Sequence, residues 1–293
     1  MNKLILAFLV DLFSKSKLNR LPKSYGGGRI FVDPLIGVAQ GDDPLFNKYK
    51  ELISHKHLTP EEVWKSSNLL EEEKSKLRIL SIVCPFTNQI RSESMRAKLM
   101  PAEIYSVGRN YANEFKIDVM KQTIEFFKRE GFQATAGMLC NSFDIYPGFF
   151  SSWSERHIAF AAGLGTFSLH EGLISEVGCN IRLCSVITNA PLEITPRKSD
   201  ELYANCLYYT DGTCRECEKK CPADAINEKG HDKKKCRYYG RIIEAEMTKR
   251  LGAILKPHWR RIDGKMVQSF PVGCAFCQFG VPCMDKNPLA TKK

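Results

Sequence analysis

Eight of the twelve cysteines in this chain fall in its last third, and their spacing limits what that part of the molecule can become. Cys206 is followed, after seven residues, by the run Cys214-x2-Cys217-x3-Cys221-Pro222. Cys236 stands alone, and Cys274-x2-Cys277-x5-Cys283 closes the series. Thiols this close together reach one polynuclear centre only from a tight loop. Pro222, with its fixed φ and missing donor, ends such a loop and is expected to open a short helix over residues 223–227.

C-x2-C-x3-C-P is the second half of the bacterial iron–sulfur run C-x2-C-x2-C-x3-C-P, with the first spacing stretched here by an insertion. Eight thiols are what two [4Fe–4S] clusters require. Two C-x2-C pairs would also make a zinc ribbon, but that uses four cysteines and leaves four over. Disulfides need an oxidising compartment, which nothing in the sequence indicates. In the bacterial run the cysteine before the proline ligates the other cluster. One cluster is therefore expected on Cys206, Cys214, Cys217 and Cys283, the other on Cys221, Cys236, Cys274 and Cys277.

At 293 residues the chain is long enough for two domains, and 43% apolar residues are enough for a conventional core. The expected fold class is α+β. Residues 1–195 read as an α/β layered domain and 196–293 as a double-cluster, ferredoxin-like domain. The net charge is +10. The densest basic stretches, Lys219-Lys220, Lys233 to Arg237 and Lys256 to Arg261, all lie beside cysteines. Such stretches usually form a solvated face; the functional alternative is a docking surface for an acidic electron donor or for RNA. No aromatic-interleaved motif accompanies them, so nucleic acid ranks below a protein donor.

The start, MNKLILAFLVDLFSK, is interrupted by Asp11, lacks a small-residue cleavage site and is too short to span a bilayer. Leu4, Ile5, Phe8, Leu9, Leu12 and Phe13 recur at helical spacing, which predicts an amphipathic helix packed on the body. With no twin-arginine signal, the expected location is the cytoplasm. Thr59-Pro60-Glu61-Glu62 predicts a capped helix start. Strands are expected over residues 78–86, 132–139 and 181–188, and a helix over 110–129 closed by Gly131. Strands separated by helices indicate a layered domain. In SSWSERHIAFAAGLGTF, Ser154 is placed to cap a helix that ends at Gly163 and Gly165. Those two glycines permit either a sharp turn or close approach of a flat ligand. His157 and His170 lie outside any metal-spaced cluster and read as structural.

The order SERHIAFAAGLGTF, IRLCSVITNAPLEITP and a cysteine run ending in CPADAI resembles the epoxyqueuosine reductase and reductive dehalogenase superfamily. The tail CAFCQFGVPC resembles a ferredoxin-like branch of it, the segment YSVGRNY resembles the GRDY-type segment of the reductases, and the likeness runs over about residues 25–288. It implies a nitroreductase-like N-terminal domain able to hold cobalamin, followed by a domain with two [4Fe–4S] clusters that feed cobalt single electrons. On that reading Tyr105, Arg109, Tyr111, Glu155 and Arg156 are candidate catalytic residues, with Ser154, Gly163 and Gly165 at the cofactor. A reduced ferredoxin or flavodoxin is the implied donor and a small molecule the implied substrate. Three departures bear on the reaction. Phe149 occupies the place of the reductases' catalytic aspartate, and there is no counterpart to their tRNA-engaging helical repeats. The export signal of the dehalogenases is also absent. Two functions of different class follow: a cobalamin-dependent reductase, or an electron carrier for a partner enzyme. Modification of tRNA ranks below both.

Anaerobically isolated protein is expected to carry about eight iron and eight sulfide per chain. Cys214→Ser and Cys277→Ser should each remove or damage a different cluster. Iron, sulfide and zinc determinations check this, and protein holding mainly zinc would refute it.

Overall fold

The computed structural model describes residues 1–290. Helix α1 (Asn2–Lys15) buries Ile5, Leu9 and Phe13, one residue per turn, as the apolar periodicity predicts. Phe13 meets Phe115 edge-on, with ring centroids 4.8 Å apart. Leu4, on the far side, is 50% exposed. Strand β1 (Leu35–Gln40) leads to α2 (Leu45–Leu52) and α3 (Pro60–Ser66). At the start of α3, Thr59 accepts from the Glu62 amide while the Glu62 carboxylate accepts from the Thr59 amide, the reciprocal cap its sequence predicts.

Strand β2 (Arg78–Pro85) is apolar and buried along most of its length. After α4 (Asn88–Ser94) comes the longest helix, α5 (Glu103–Arg129), whose buried face carries Phe115, Val119, Met120 and Phe127. It starts seven residues earlier than its apolar pattern suggests, with Glu103 in the first turn, so Tyr105, Arg109 and Tyr111 are helical. The strand expected over 132–139 shrinks to β3 (Ala134–Thr135). Its continuation is cut off at Gly137, where any Cβ would lie 2.3 Å from the Trp153 ring.

A hairpin, β4 (Ile145–Tyr146) and β5 (Phe150–Ser151), precedes α6 (Glu155–Ala161). A second hairpin, β6 (Gly165–Phe167) and β7 (Leu173–Ser175), precedes β8 (Ile181–Thr188). The central sheet runs β1-β2-β8-β3. β2 pairs antiparallel with β8 over eight positions, from Arg78↔Thr188 to Pro85↔Ile181, whereas β3 covers only Ile187 and Thr188.

The C-terminal part holds two short helices, α7 (Leu207–Asp211) and α8 (Glu216–Lys219), then strands β9 (Ile226–Asn227) and β10 (Gly230–His231). The helix expected from Pro222 does not form. Asp224 sits in the left-handed region at φ +48°, and the chain goes directly into the β9–β10 hairpin. Helix α9 (Lys233–Leu251) is capped by Asp232, and hairpin β11 (His258–Ile262), β12 (Lys265–Ser269) follows. β11 continues into the N-terminal part by pairing parallel with β4 at Ile262↔Ile145.

The last segment returns to the start of β8: the Cys179 amide donates to the Cys283 carbonyl (2.8 Å) and the Asn180 amide to that of Met284 (3.0 Å). The expected division at 195/196 falls in an extended stretch, yet one buried apolar cluster includes Ile5, Phe115, Ile174, Cys206, Val272 and Phe276. No helix among the described residues is long and apolar enough to cross a membrane.

Phe115→Ala should cost about 3–5 kcal/mol, because Phe115 is fully buried where α1 and α5 meet and packs on Phe13 and Phe31. Leu4→Ala should stay within about 0.5 kcal/mol. Thermal midpoints of the two variants check the contrast.

Candidate functional site

Cys206 precedes the first turn of α7, Cys217 lies in α8, and both are buried. With Cys214 and Cys283 they line a single cavity, together with Ser168, His170 and Ile174. Burial, then the neighbouring thiols of Cys283, Cys206 and Cys214, pushes the Cys217 thiol up to about 12. A second set gathers beside it. Burial and then Cys274, Cys217, Cys236 and Cys221 raise the Cys277 thiol. Burial, with Cys236 and Cys221 adding to it, takes Cys274 to about 12. Such shifts arise when several thiols crowd together out of water, where each thiolate repels the next. The two foursomes adjoin through Cys217 and Cys277, and all eight thiols are free.

Two residues that the sequence does not mark join the first set. Cys179 is buried with its sulfur 3.7 Å from that of Cys283, and the ligand atoms of His170, Cys179 and Cys283 lie within 4.8 Å of one another. His170 Nδ1 accepts from the Gly172 amide (3.2 Å); its Nε2 is buried and makes no hydrogen bond among the described residues. The Cys179 sulfur, and the His170 ring behind it, bring the Cys283 thiol down to about 5 against the effect of burial. No local motif reveals this group, because 104 residues separate Cys179 from Cys283.

A different environment lies between α5, α6 and the first half of β8. Arg109, Lys116, Arg182 and Arg260 face one another there, and none makes a hydrogen bond or ion pair with the described residues. Lys116 is only 6% exposed, and Arg182 Nε is buried without a partner. Burial, then Arg182, lowers Lys116 to about 8; burial, then Arg109, lowers Arg182 to about 9. Glu155, in the first turn of α6, turns its carboxylate into the same space. Both its oxygens are buried; the Ser185 amide and hydroxyl are near enough to favour the anion, but neither meets it with good geometry. Burial takes Glu155 up to about 7, with Lys116 opposing the rise. Perturbed groups of both signs in one cleft mark functional sites more often than structural ones.

Tyr105 joins the cleft to the second set of thiols. It is buried, edge-on to Phe279 at 5.0 Å, and within electrostatic reach of Arg109, Arg182, Cys274 and Cys277. Burial raises its phenol, so Oη keeps its proton at neutral pH. Both Tyr105 and Arg109 pack against Gly273, where a Cβ would come within 3.3 Å of each.

Of the residues singled out from the sequence, Tyr105, Arg109 and Glu155 share this cleft. Arg156 is exposed beside it and donates to the Glu171 carbonyl. Tyr111 is engaged elsewhere, its hydroxyl donating to the Ile254 carbonyl (3.0 Å) under the Lys256 ammonium. Ser154 bonds His157 Nδ1 at 2.7 Å rather than capping α6 with its hydroxyl. The space above Gly163 and Gly165 belongs to the chain itself. A Cβ on Gly163 would sit 2.9 Å from the Pro196 carbonyl oxygen, and one on Gly165 would sit 2.3 Å from that of Ile174. These glycines line a separate groove with Pro196 and Arg197. Phe149, at φ +70°, is the exposed tip of the β4–β5 hairpin. Lys116, Arg182 and Arg260 were missed. The available signal was a charge inside an otherwise apolar strand, IRLCSVIT, and inside an apolar helical face.

No protein-family model matches the sequence, and no curated protein matches it. Solved structures do match. The structure of epoxyqueuosine reductase from Streptococcus thermophilus aligns with a TM-score of 0.52 and 16% identity, over 99% of this chain and 70% of that one. Epoxyqueuosine reductase from Bacillus subtilis gives 0.46 and 18%, over 87% of this chain and 65% of that one. A catabolic reductive dehalogenase gives 0.47 and 14%, over 71% and 27%. This chain thus spans about two thirds of the length of the reductases it matches, and it has the fold of the first.

Glu155 has a folded pKa above its unfolded value, so the stability it contributes is present below about pH 4.5 and lost as pH rises through about 7. Glu155→Gln should remove that fall. Between pH 5.5 and 8 the parent's thermal midpoint should fall relative to the variant's, by roughly 2–4 °C per kcal/mol, while the contributions of His57, His157 and His231 are common to both.

Proposed function

We propose that this chain is an iron–sulfur reductase that delivers single electrons to an acceptor held in the cationic cleft. The observation carrying this reading is the placement of Tyr105, which lies against the cleft arginines on one side and within reach of Cys274 and Cys277 on the other. The donor set fits the cofactor: eight unpaired thiols in two adjoining foursomes, largely removed from water, suit soft iron–sulfide centres. Cys206, Cys214, Cys217 and Cys283 would hold one [4Fe–4S] cluster, and Cys221, Cys236, Cys274 and Cys277 the other. Such clusters supply electron transfer in one-electron steps.

The remaining work falls to this chain's own side chains. Arg109, Lys116, Arg182 and Arg260 attract and orient negative charge, and their field stabilises charge that develops on the acceptor. Two groups are poised to manage the accompanying proton. Tyr105 Oη holds one in a dry setting, and Glu155, near 7, exchanges one close to neutral pH. The exposed lysines at the start of α9, close to Cys236, suit an acidic donor such as a ferredoxin or flavodoxin. An electron carrier has no need of unpaired buried cations or a tuned carboxyl, so carriage alone explains less.

Cobalamin as the acceptor is the second reading, favoured by the fold shared with the Streptococcus thermophilus reductase. The residues fit it incompletely: Tyr105, Arg109 and Glu155 are together, but the backbone approach expected over Gly163 and Gly165 is taken up by Pro196 and Ile174. Titration of anaerobic protein with hydroxocobalamin decides between the readings. A spectral change and retention through desalting at micromolar protein assign the corrinoid. With neither, and with clusters reducible by dithionite, the acceptor is the substrate itself. Protein without reducible clusters would end the reductase reading altogether.

A further inference from the structure

The cleft is built for something that is not protein. Four cations, Arg109, Lys116, Arg182 and Arg260, are faced by two acids, Glu155 and Glu244, so the interior balance is 4 − 2 = +2. Arg156 and Glu171 oppose each other at the edge and add nothing to that balance. Arg237 adds positive charge near Arg260. Glu244 is also committed, because its carboxylate accepts from the Phe270 amide at 3.2 Å. Uncompensated buried charge is among the costliest features a fold can carry, and chains usually pair it or expose it. This one pairs its cations elsewhere: Arg197 with Asp43 and Asp200, Arg250 with Glu246, Lys50 with Glu62. Here it leaves Lys116, itself more than nine-tenths buried, and Arg182 Nε without a partner.

The positions are set by three separate elements. Lys116 and Arg109 lie seven residues apart, two turns along one face of α5. Arg182 stands opposite Cys84 on β8, and Arg260 comes from β11 of the C-terminal part. Guanidinium forks and an ammonium converging from several directions are the usual means of holding a multiply charged oxyanion.

We propose that the cleft binds a phosphate group, an oxyanion of about two negative charges, belonging to the molecule that receives the electrons. The assignment to that molecule rests on the reductase reading above; the oxyanion site itself does not. A phosphate monoester comes nearest to matching this excess of at least two positive charges, whereas a carboxylate or a phosphodiester leaves half of it or more uncompensated. Lys116, at the buried end, meets the anion deepest; Arg109 and Arg260 close over it from the cluster side.

Inorganic phosphate is the probe, applied to cluster-loaded protein with chloride at matched ionic strength as the reference. Phosphate should raise the thermal midpoint and bind saturably in equilibrium dialysis. Lys116→Met should bind phosphate at least tenfold more weakly. It should also melt higher than the parent in chloride, since it removes an unpaired buried charge, and should lose the phosphate-dependent gain. Phosphate that neither binds nor stabilises beyond chloride overturns the proposal whatever the variants do. So does a Lys116→Met protein that melts lower than the parent yet keeps the full phosphate gain. If Lys116→Met does not fold, Arg182→Gln is read by the same criteria. Bound phosphate displaced by hydroxocobalamin would overturn the assignment to substrate. Iron, sulfide and cluster spectra measured on the same samples separate the two readings. Intact clusters without phosphate binding remove the anion site alone, and phosphate binding in a zinc-filled protein removes the reductase reading alone.

Discussion

The molecule depends on an asymmetry in how β8 is paired. Along one edge it is matched to β2 at every residue; along the other, β3 reaches only its last two. An unpaired strand edge in a protein interior must have its amides met by something other than a strand. Beside this edge lie Glu155 of α6, near Ser185, then Arg109 and Lys116 of α5, and Arg182 of the strand itself, so the edge adjoins polar groups rather than a further strand. Had β3 extended over the length its sequence suggests, it would have covered this edge. The Trp153 ring fills the space above Gly137, two residues past the end of β3.

Charge in that cleft works against folding. Burial depresses the lysine and the arginines and raises the glutamate, each shift recording a charged form the fold holds at a disadvantage. The strain is tolerable because the apolar mass lies elsewhere, in the α1–α5 contact and the aromatic pairs around Phe115. Sites that sacrifice stability for binding or chemistry are ordinarily set into such a scaffold, not into loops of their own.

What the sequence made legible followed the range of the interaction. Periodicity marked α1 and the buried face of α5, and an apolar β-branched run marked β2 and β8. A four-residue signature marked the cap of α3. Each of these is a local consequence of backbone geometry. Two expectations met structure that composition does not display: the left-handed Asp224 where a helix was expected, and a β3 of two residues with the Trp153 ring packed on Gly137 just beyond it. In the cleft, Tyr105, Arg109 and Glu155 were visible through motif and resemblance. Lys116, Arg182 and Arg260 become neighbours only after three elements have packed. At Gly163 and Gly165 the local freedom was plain, and of the two uses it permits the chain's own close backbone packing is the one visible at these positions. His170 and Cys179 carried no sign at all, because their meaning comes from Cys283 across more than a hundred residues.

The return of the C-terminal segment to β8 also sets an order of events in time. Cys206, Cys214 and Cys217 leave the ribosome together, but the residue that closes their cavity is made much later. It reaches place only when the carbonyls of Cys283 and Met284 meet the amides of Cys179 and Asn180. Until then three thiols stand open at the edge of a core whose N-terminal elements are already available to fold. The cavity therefore gains its full lining only after the segment around Cys283 has been made. A nick between α9 and Cys274 would leave a body retaining most of its core with its thiol cradle unlatched, vulnerable to oxidation before it was vulnerable to unfolding.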